Sequence, residues 1–347
     1  MNQSLKYISL FSGVGGFDLA LDRAGFQNVF CSEIDKYAVE TYNENFNHPV
    51  SGDITQIDAS DIPTHDILVG GFPCQAFSIA GHRKGFEETR GTLIFDVFRV
   101  LNHHKPKVFL LENVKGLLNH NKGKTFSYIT TVLREIGYDV HCAVLNSKDF
   151  GLPQNRERVF IVGFSDFVDY FTFSFPRPTG IKTSVNDILE ENVDEKYFLS
   201  DETIKYHLKR KEDNKAKGKG FGASFLTPSA YTTNTISARY GKDGSDALIK
   251  TGSVNNSQSG QIYSPSGLGV TLKALGGGQG AKTGLYDVNS RVRRLTPREC
   301  FRLQGFPDTF KLPCSDTQSY RQAGNSVSVP VIEAILKEIK HSIIGWK

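Results

Sequence analysis

Cys74 is the side chain in this sequence best placed to do chemistry. It stands in Gly70-Gly71-Phe72-Pro73-Cys74-Gln75, directly after the apolar run 67–69. A cysteine is ordinarily a small buried hydrophobe, and that reading suits Cys31, Cys142 and Cys300. It does not suit Cys74, because a Gly-Gly-x-Pro-Cys loop is a poor place to bury a packing residue. Pro73 stiffens the loop and sets the direction of the thiol. Beyond the carboxyl end of a strand, the thiol would stand in the crevice where open α/β sheets bind ligands. There a thiolate is a nucleophile. Glu112 ends the apolar run 108–111, and Arg156 and Arg158 precede the run 159–164. Alternate residues of an extended segment share a face, so the two arginines can point together. Taken singly, a glutamate at a strand end is more often solvated, and an arginine in such a loop is more often exposed.

A second group of residues suits a nucleoside. Phe11-Ser12-Gly13-Val14-Gly15-Gly16 follows an apolar run and opens a helical pattern. Glycines let the backbone turn tightly and approach a ligand closely. Glu33 falls at the end of the next strand pattern, where a carboxylate meets ribose hydroxyls. Asp53 follows a third element and could meet an adenine edge. The glycine spacing departs from the full dinucleotide fingerprint, so the loop alone does not choose a cofactor, and a plain structural turn remains an equal reading.

The elements that must position these residues alternate. Strands are expected at 6–10, 28–32, 67–69, 108–111, 139–145 and 159–164, and helices at 17–24, 36–45, 92–103 and 125–136. Strand–helix alternation predicts an α/β fold with a doubly wound, mostly parallel sheet. From 183 to 295 the chain is rich in Gly, Ser, Thr, Asn and Lys, with weak helical periodicity. Short strands are expected there at 234–240, 247–250, 269–275 and 284–288. Helical spacing resumes at 296–303, with Pro297 in the first turn, and again at 329–344. The expected division is a first domain of 1–182 plus 321–347 and a smaller loop- and strand-rich domain of 183–320.

Composition narrows the class. Hydrophobic residues make up 39% and charged residues 22% of the chain, as in soluble globular proteins. No stretch has the apolar length of a membrane span. The polar first residues lack a signal-peptide layout, which predicts a protein that stays in the cytoplasm. The five cysteines are scattered and include no C-x-x-C pair, which disfavours a disulfide framework or a zinc site. A net charge of +4 permits a polyanionic partner without demanding one.

The motifs Phe11-Ser12-Gly13-Val14-Gly15, Gly71-Phe72-Pro73-Cys74-Gln75, Glu112-Asn113-Val114 and Gln154-Asn155-Arg156-Glu157-Arg158 occur in that order. The run 294–307 and Gln322-Ala323-Gly324-Asn325-Ser326-Val327 follow. Together they span nearly the whole chain and resemble the bacterial DNA (cytosine-5)-methyltransferases. The resemblance implies a Rossmann-like methyltransferase sheet and S-adenosylmethionine as methyl donor, with no metal. Phe11, Gly13, Val14, Gly15, Glu33, Asp53, Ile54, Pro73, Leu93, Asn325 and Val327 would form the cofactor pocket. Cys74 would add to carbon 6 of a cytosine flipped out of duplex DNA. Glu112 would bond N3 and the exocyclic amine, Arg156 would hold O2 and favour the thiolate, and Arg158 would brace the site.

Gln258 matches the family position that fills the space left in the duplex, and Thr271 matches a phosphate contact. Gln261 stands where a relative carries arginine, and 201–256 is longer than in that relative, so the recognition sequence does not carry over. The run of Lys205, Lys209, Arg210, Lys211, Lys215, Lys217 and Lys219 suits phosphates, although such runs are more often solvated surface. The resemblance further implies a monomer in a restriction-modification system, sharing its site with an endonuclease without a stable complex. Three rivals remain at this level: an RNA methyltransferase of similar design, a silent DNA-binding regulator on the same fold, and a nicotinamide oxidoreductase. Intact Cys74, Glu112, Arg156 and Arg158 weigh against the second, and the Pro-Cys loop against the third.

Overall fold

The structure, a computed structural model, describes residues 4–73, 93–170, 172–219, 222–226, 230–251, 262–263, 285–286, 291–343 and 346. β1 (Lys6–Leu10), β2 (Gln27–Ser32), β3 (Ile67–Gly71), β4 (Val108–Val114), β5 (Tyr138–Asn146) and β6 (Glu157–Ser165) form a six-stranded sheet. Its order is β2-β1-β3-β4-β6-β5. β1 to β4 pair in parallel, and β6 runs antiparallel to both β4 and β5. Because β1 has β2 on one side and β3 on the other, the chain reverses its direction of travel there. Such a switch point opens a crevice beyond the carboxyl ends of the strands.

The strands read as continuous apolar runs because both faces of the sheet are covered. Tyr7, Ile67, Val69, Val108 and Leu110 enter one core, while Ile8, Leu10, Leu68, Phe109 and Leu111 enter the other. On the first face lie α1 (Gly16–Arg23) and α9 (Val329–Ser342), tied by an Arg23–Glu333 ion pair of 2.9 Å. On the second lie α3 (Ile94–His104) and α4 (Lys124–Glu135). α2 (Lys36–Asn45) starts at Asp35, whose side chain accepts from the Tyr37 and Ala38 N–H groups. That cap satisfies donors the first helical turn leaves without partners.

The remaining described elements are α5 (Asp201–Ala216), β7 (Phe225–Leu226), α6 (Tyr240–Asp243), β8 (Leu248–Thr251), β9 (Ile262–Tyr263), β10 (Leu285–Tyr286), β11 (Arg291–Arg294), α7 (Pro297–Arg302) and α8 (Asp316–Asn325). β11, β8 and β7 form a second, smaller sheet. Leu295, Phe301, Phe306, Ile236 and Tyr240 belong to the core on the α1–α9 face, so this region is anchored on the main sheet. A capping box between Thr296 and Glu299, with Pro297 in the first turn, starts α7.

Two expectations about this region are corrected. α5 is a helix of 16 residues where helical periodicity looked weak. Only His207 of it is buried, so it has no apolar stripe to detect; Ser200 caps it by accepting from the Thr203 N–H. The expected strand 234–240 is not one: only an isolated bridge, Gln154 to Thr233, touches it, and α6 begins at Tyr240. Its burial does not alternate either: Ile236 and Tyr240 are buried, but Ala238, which would share their face in a strand, is exposed. The segment is threaded between other parts of the chain rather than paired in a sheet. The expected strand 269–275 lies outside the described residues.

β4 and β6, which carry Glu112 and Arg158, are locked by one cross-strand pair. Gly163 of β6 lies opposite Phe109 of β4, and a Cβ at Gly163 would fall 2.1 Å from the Phe109 ring. The ring occupies the space a side chain would need. Gly163→Ala is therefore expected to destabilise the protein by about 1–3 kcal/mol through overpacking. Urea unfolding checks this: the midpoint should fall with the slope unchanged.

Candidate active site

The loop after β1, the ends of β2 and β3 and the C-terminal segment surround a cavity of about 560 Å³. The loop turns through left-handed conformations at Phe11, Gly13 and Gly15, with φ of 56°, 56° and 85°. For phenylalanine that region is costly and persists only where the surroundings over-determine it. A Cβ on Gly16 would meet Ser326 Oγ and Val327 Cγ2 at 2.8 Å, so the loop abuts the C-terminal segment. Phe11, Gly13, Val14, Glu33, Asp53, Ile54, Pro73, Leu93, Asn325 and Val327 all line the cavity. Gly15 stands outside that wall. A Cβ there would lie 2.3 Å from the Phe46 ring, so this glycine lets the loop pass Phe46 rather than meet a ligand.

Glu33 is held firmly. Its Oε2 accepts from the Gly13 N–H at 2.9 Å, and its Oε1 from the Ile34 and Asp35 N–H groups at 2.8 Å. A carboxylate offers about four acceptor sites, so capacity remains for a ligand hydroxyl. Asp53 caps the turn Ile54–Gln56 through Oδ1. Ile34, 70% exposed and in the cavity wall, escaped the sequence reading because an isoleucine after a strand looks like any other apolar residue.

Glu112 lies beside Gly71 in the β3–β4 register, on the same cavity. It is 9% exposed, and its Oε1 lies 3.1 Å from Arg158 Nε. Burial raises its carboxyl above the ordinary glutamate value, and the Arg158 and Arg156 charges only partly offset this. Asn113 donates to the Phe72 carbonyl at 2.8 Å and accepts from the Val114 N–H at 2.8 Å. It thereby holds the backbone at Phe72 against β4, a role no pattern in the sequence suggested. Cys74 itself lies outside the described residues, as do Gln258, Gln261 and Thr271. Pro73, the residue before Cys74, is in the cavity wall.

The two arginines differ in their partners. Arg156 is 2% exposed, and its guanidinium donates to three backbone carbonyls. These are Ser326 O at 2.7 Å, Gly324 O at 3.2 Å and Ile236 O at 3.4 Å. Burial, then the Arg158 charge, push its pKa down to about 9, which leaves it a cation at neutral pH. Its Nε is buried without a partner. Arg158 instead pairs with Glu112. Both arginines line the cavity, Arg156 bonded to backbone carbonyls and Arg158 to a carboxylate.

Other expectations fare unevenly. Cys31 and Cys300 are buried, as a packing reading requires, but Cys142 is exposed, because β5 is an edge strand. The Lys205–Lys219 run is largely exposed on α5 and just beyond it. Among the described residues there is no cluster able to hold a metal and no helix long and apolar enough to cross a membrane.

Comparison with known proteins bears on this whole arrangement. The model of the C-5 cytosine-specific DNA methylase family matches residues 5–341. Type II methyltransferase M1.ScrFI of Lactococcus lactis subsp. cremoris is 47% identical over 96% of this chain and 77% of its own. Type II methyltransferase M.NlaX of Neisseria lactamica is 48% identical over 97% of both chains. Among solved structures, the S. pombe Dnmt2 methyltransferase matches with a TM-score of 0.70 at 19% identity, over 96% of this chain and 97% of its own. That likeness is one of fold. The match runs through the glycine loop, the Glu112 and Arg158 strands and the Asn325 segment alike, and the chain belongs to the C-5 cytosine-specific DNA methylase family.

Proposed function

We propose that this DNA cytosine-5 methyltransferase acts on a cytosine flipped from duplex DNA, with Cys74 as nucleophile, Glu112 as the N3 partner and Arg158 as the O2 partner. The observation that carries this reading is the Glu112–Arg158 pair. It is nearly buried, joined at 3.1 Å, and opens on the cavity that Pro73 also lines. N3 and O2 are neighbours on the cytosine ring, so one base edge can meet both side chains at once. A base in a duplex is stacked and must be flipped to reach such a pocket.

Carbon 5 of cytosine is a poor nucleophile until a thiolate adds to carbon 6, which breaks the ring's aromaticity and leaves carbon 5 enamine-like; once carbon 5 carries the methyl group, loss of its proton to a base expels the thiolate and restores the ring. Negative charge develops on N3 and O2 as the thiolate adds. Burial raises the Glu112 pKa, which favours the protonated carboxyl that N3 needs, and Arg158 would stabilise O2. Nearby positive charge also favours the thiolate. Arg156 acts indirectly, by holding the loop and the cofactor wall together. The cavity suits S-adenosylmethionine: an apolar wall of Phe11, Val14, Ile54 and Leu93 with the Glu33 and Asp53 carboxylates set into it. Once bound, this cofactor supplies an electrophilic methyl group. Glu33 would take ribose hydroxyls, with Asp53 and Ile54 at the adenine.

Recognition of flanking bases falls to 183–320, because a pocket for one flipped base senses little of its neighbours. Gln258 would fill the space the flipped base vacates, Gln261 would influence the choice among sites and Thr271 would contact a phosphate, with the exposed α5 lysines adding nonspecific affinity. The enzyme is inferred to be a monomer of the bacterial cytoplasm. Its relatives' names point to a type II modification role, with any cognate endonuclease acting separately on the same site.

Cys74→Ser is expected to abolish turnover while sparing DNA binding, since a hydroxyl without a dedicated base is a far weaker nucleophile. A duplex with 5-fluorocytosine at the target should trap the wild-type enzyme covalently. An adduct mapped by mass spectrometry to another cysteine, or no adduct during turnover, would remove Cys74 from the mechanism.

The arginines should separate by substitution. Arg158→Lys is expected to lower kcat by roughly 10²–10³-fold with little loss of stability, as for a lost transition-state donor. Arg156→Lys should instead destabilise the fold by about 1.5–3 kcal/mol, from broken charge-assisted bonds to carbonyls. Kinetics paired with thermal melts on each variant would show the reverse pattern if the arginine roles were exchanged.

Glu112 sets a pH dependence. Its folded pKa is raised, so it keeps its proton to higher pH than a free glutamate, and the protonated fraction falls as pH rises through that value. The step needing the N3 proton should weaken in the same direction. Glu112→Gln should lower kcat by about 10²–10⁴-fold and erase this limb from the pH profile of kcat/KM. A Gln variant that kept the wild-type limb would assign the titration to another group.

A further inference from the structure

We propose that residues 233–240 form a positioning strap that holds the 153–156 loop, and through it Arg158, in its working geometry, with Thr235 and Tyr240 as the positioning residues. The proposal rests on the reading of Arg158 given above. It assigns a task to a segment that lies far from the active-site motifs in sequence.

One end of the strap is bonded to the arginine loop. The Thr233 N–H donates to the Pro153 carbonyl at 2.8 Å, and the Thr233 carbonyl accepts from the Asn155 N–H at 2.9 Å. The Thr235 hydroxyl donates to the Asn155 carbonyl at 2.8 Å. The Ile236 N–H donates to Gln154 Oε1 at 3.3 Å, and the Ile236 carbonyl accepts from Arg156. The loop joins β5 to β6 outside the main sheet, where a connection is ordinarily mobile. Here the strap supplies the neighbour that the sheet does not. Asn146 holds the loop from the other side, accepting from the Arg156 N–H at 3.0 Å. Arg158 follows two residues after Arg156 as the second residue of β6, paired there with Val114 and Leu145, so the clamp fixes the turn that leads directly into its strand position.

The other end reaches the recognition region. The Tyr240 hydroxyl donates to the Ala247 carbonyl at 2.5 Å and accepts from the Leu295 N–H at 2.7 Å. Ala247 immediately precedes β8 and Leu295 immediately follows β11. One buried hydroxyl therefore joins both stems of the segment that carries Gln258, Gln261 and Thr271. Between the two ends, the Ser237–Ala238 backbone lies against Gly324, where a Cβ would fall 2.4 Å from Ala238 N. A shift of the stems on DNA thus has a continuous hydrogen-bonded route to the arginine loop. Such a route is evidence of coupling only when perturbing it changes the distant step.

The test uses full-length enzyme and two duplex oligonucleotides. One carries the site that bisulfite sequencing identifies in plasmid from expressing cells, and the other differs from it by one flanking base. Thr235→Val removes the bond to Asn155, and Tyr240→Phe removes the bridge between the stems. Each should lower kcat on the enzyme's own site roughly five- to tenfold, the worth of about one hydrogen bond, with KM for DNA and for S-adenosylmethionine within about twofold. Thr235→Ser should restore kcat, and Tyr240→Phe should also shrink the kcat ratio between the two duplexes. Unchanged kcat in both Thr235→Val and Tyr240→Phe would sink the strap. So would a loss of kcat matched by loss of DNA affinity and not restored by serine, which marks plain structural damage. Arg158→Lys run in parallel separates the two readings. A slow Arg158→Lys beside fully active strap variants overturns the strap alone, whereas a fully active Arg158→Lys overturns the catalytic assignment beneath it.

Discussion

A guanidinium taken out of water must be given acceptors, and the burial of Arg156 organises everything around the site. An uncompensated charge at that depth would cost several kcal/mol. The chain meets the demand with carbonyls from residues 236, 324 and 326. Those residues are distant from Arg156 in sequence. One side chain therefore cross-links the arginine loop, the strap and the cofactor wall. Because carbonyl acceptors are fixed by the backbone, the three segments have little freedom to shift while the two terminal nitrogens of the guanidinium keep these bonds. Arg158, two residues on, is left to meet Glu112 without supporting anything else.

A second buried network extends the same logic. Gln154 donates to the Leu303 carbonyl at 3.0 Å and accepts from Gln304 at 3.3 Å. Gln304 in turn accepts from Ser328, whose hydroxyl is 2.7 Å from that of Ser147. Farther out, Arg293 and Glu299 pair through two bonds of 2.8 and 2.7 Å with almost no exposure. Polar groups buried this thoroughly specify one arrangement, since any other would leave some of them without partners. They explain why segments as late as 294–307 and 322–327 must return to the first domain, and why α9 closes the face of the sheet that α1 begins.

The sheet and most of the site were legible in the sequence because the signals there are local. Apolar runs buried on both faces mark β3 and β4. A glycine loop after β1, an acid after β2 and Pro73 after β3 fall on one crevice once the strands are parallel. The chemistry of Arg156 and Arg158 was not legible, because two arginines in one extended motif look equivalent. Which of them is buried depends on carbonyls supplied from other parts of the chain. The same holds for the Cys142 error. A cysteine in an apolar strand reads as core, and only the strand order reveals that β5 is an edge. α5 was missed for the opposite reason: its stability comes from a cap and good helix formers, and its surface is solvated, so it has no periodicity to betray it.

The division of labour in the molecule follows from what one pocket can sense. In the role proposed for them, Glu112 and Arg158 together test the edge of a single base and sense nothing of its neighbours. On that proposal discrimination enters from the 183–320 region, while methyl transfer belongs to the cavity beyond β3 and β4. If the two were joined only by a flexible linker, tight binding at a site would say nothing about the speed of reaction there. The described structure has no such slack. The recognition stems at Ala247 and Leu295 share the Tyr240 hydroxyl, Tyr240 continues the strap, and the strap is bonded to the loop that delivers Arg158. Tyr320 adds a hydrogen bond to the Leu295 carbonyl at 2.7 Å from α8, the helix that ends at Asn325 on the cofactor wall. The stems at Ala247 and Leu295, the Arg158 loop and the cavity wall at Asn325 are therefore linked by hydrogen bonds, which is the physical means the proposed coupling needs for a base pair read at a distance to alter the chemical step.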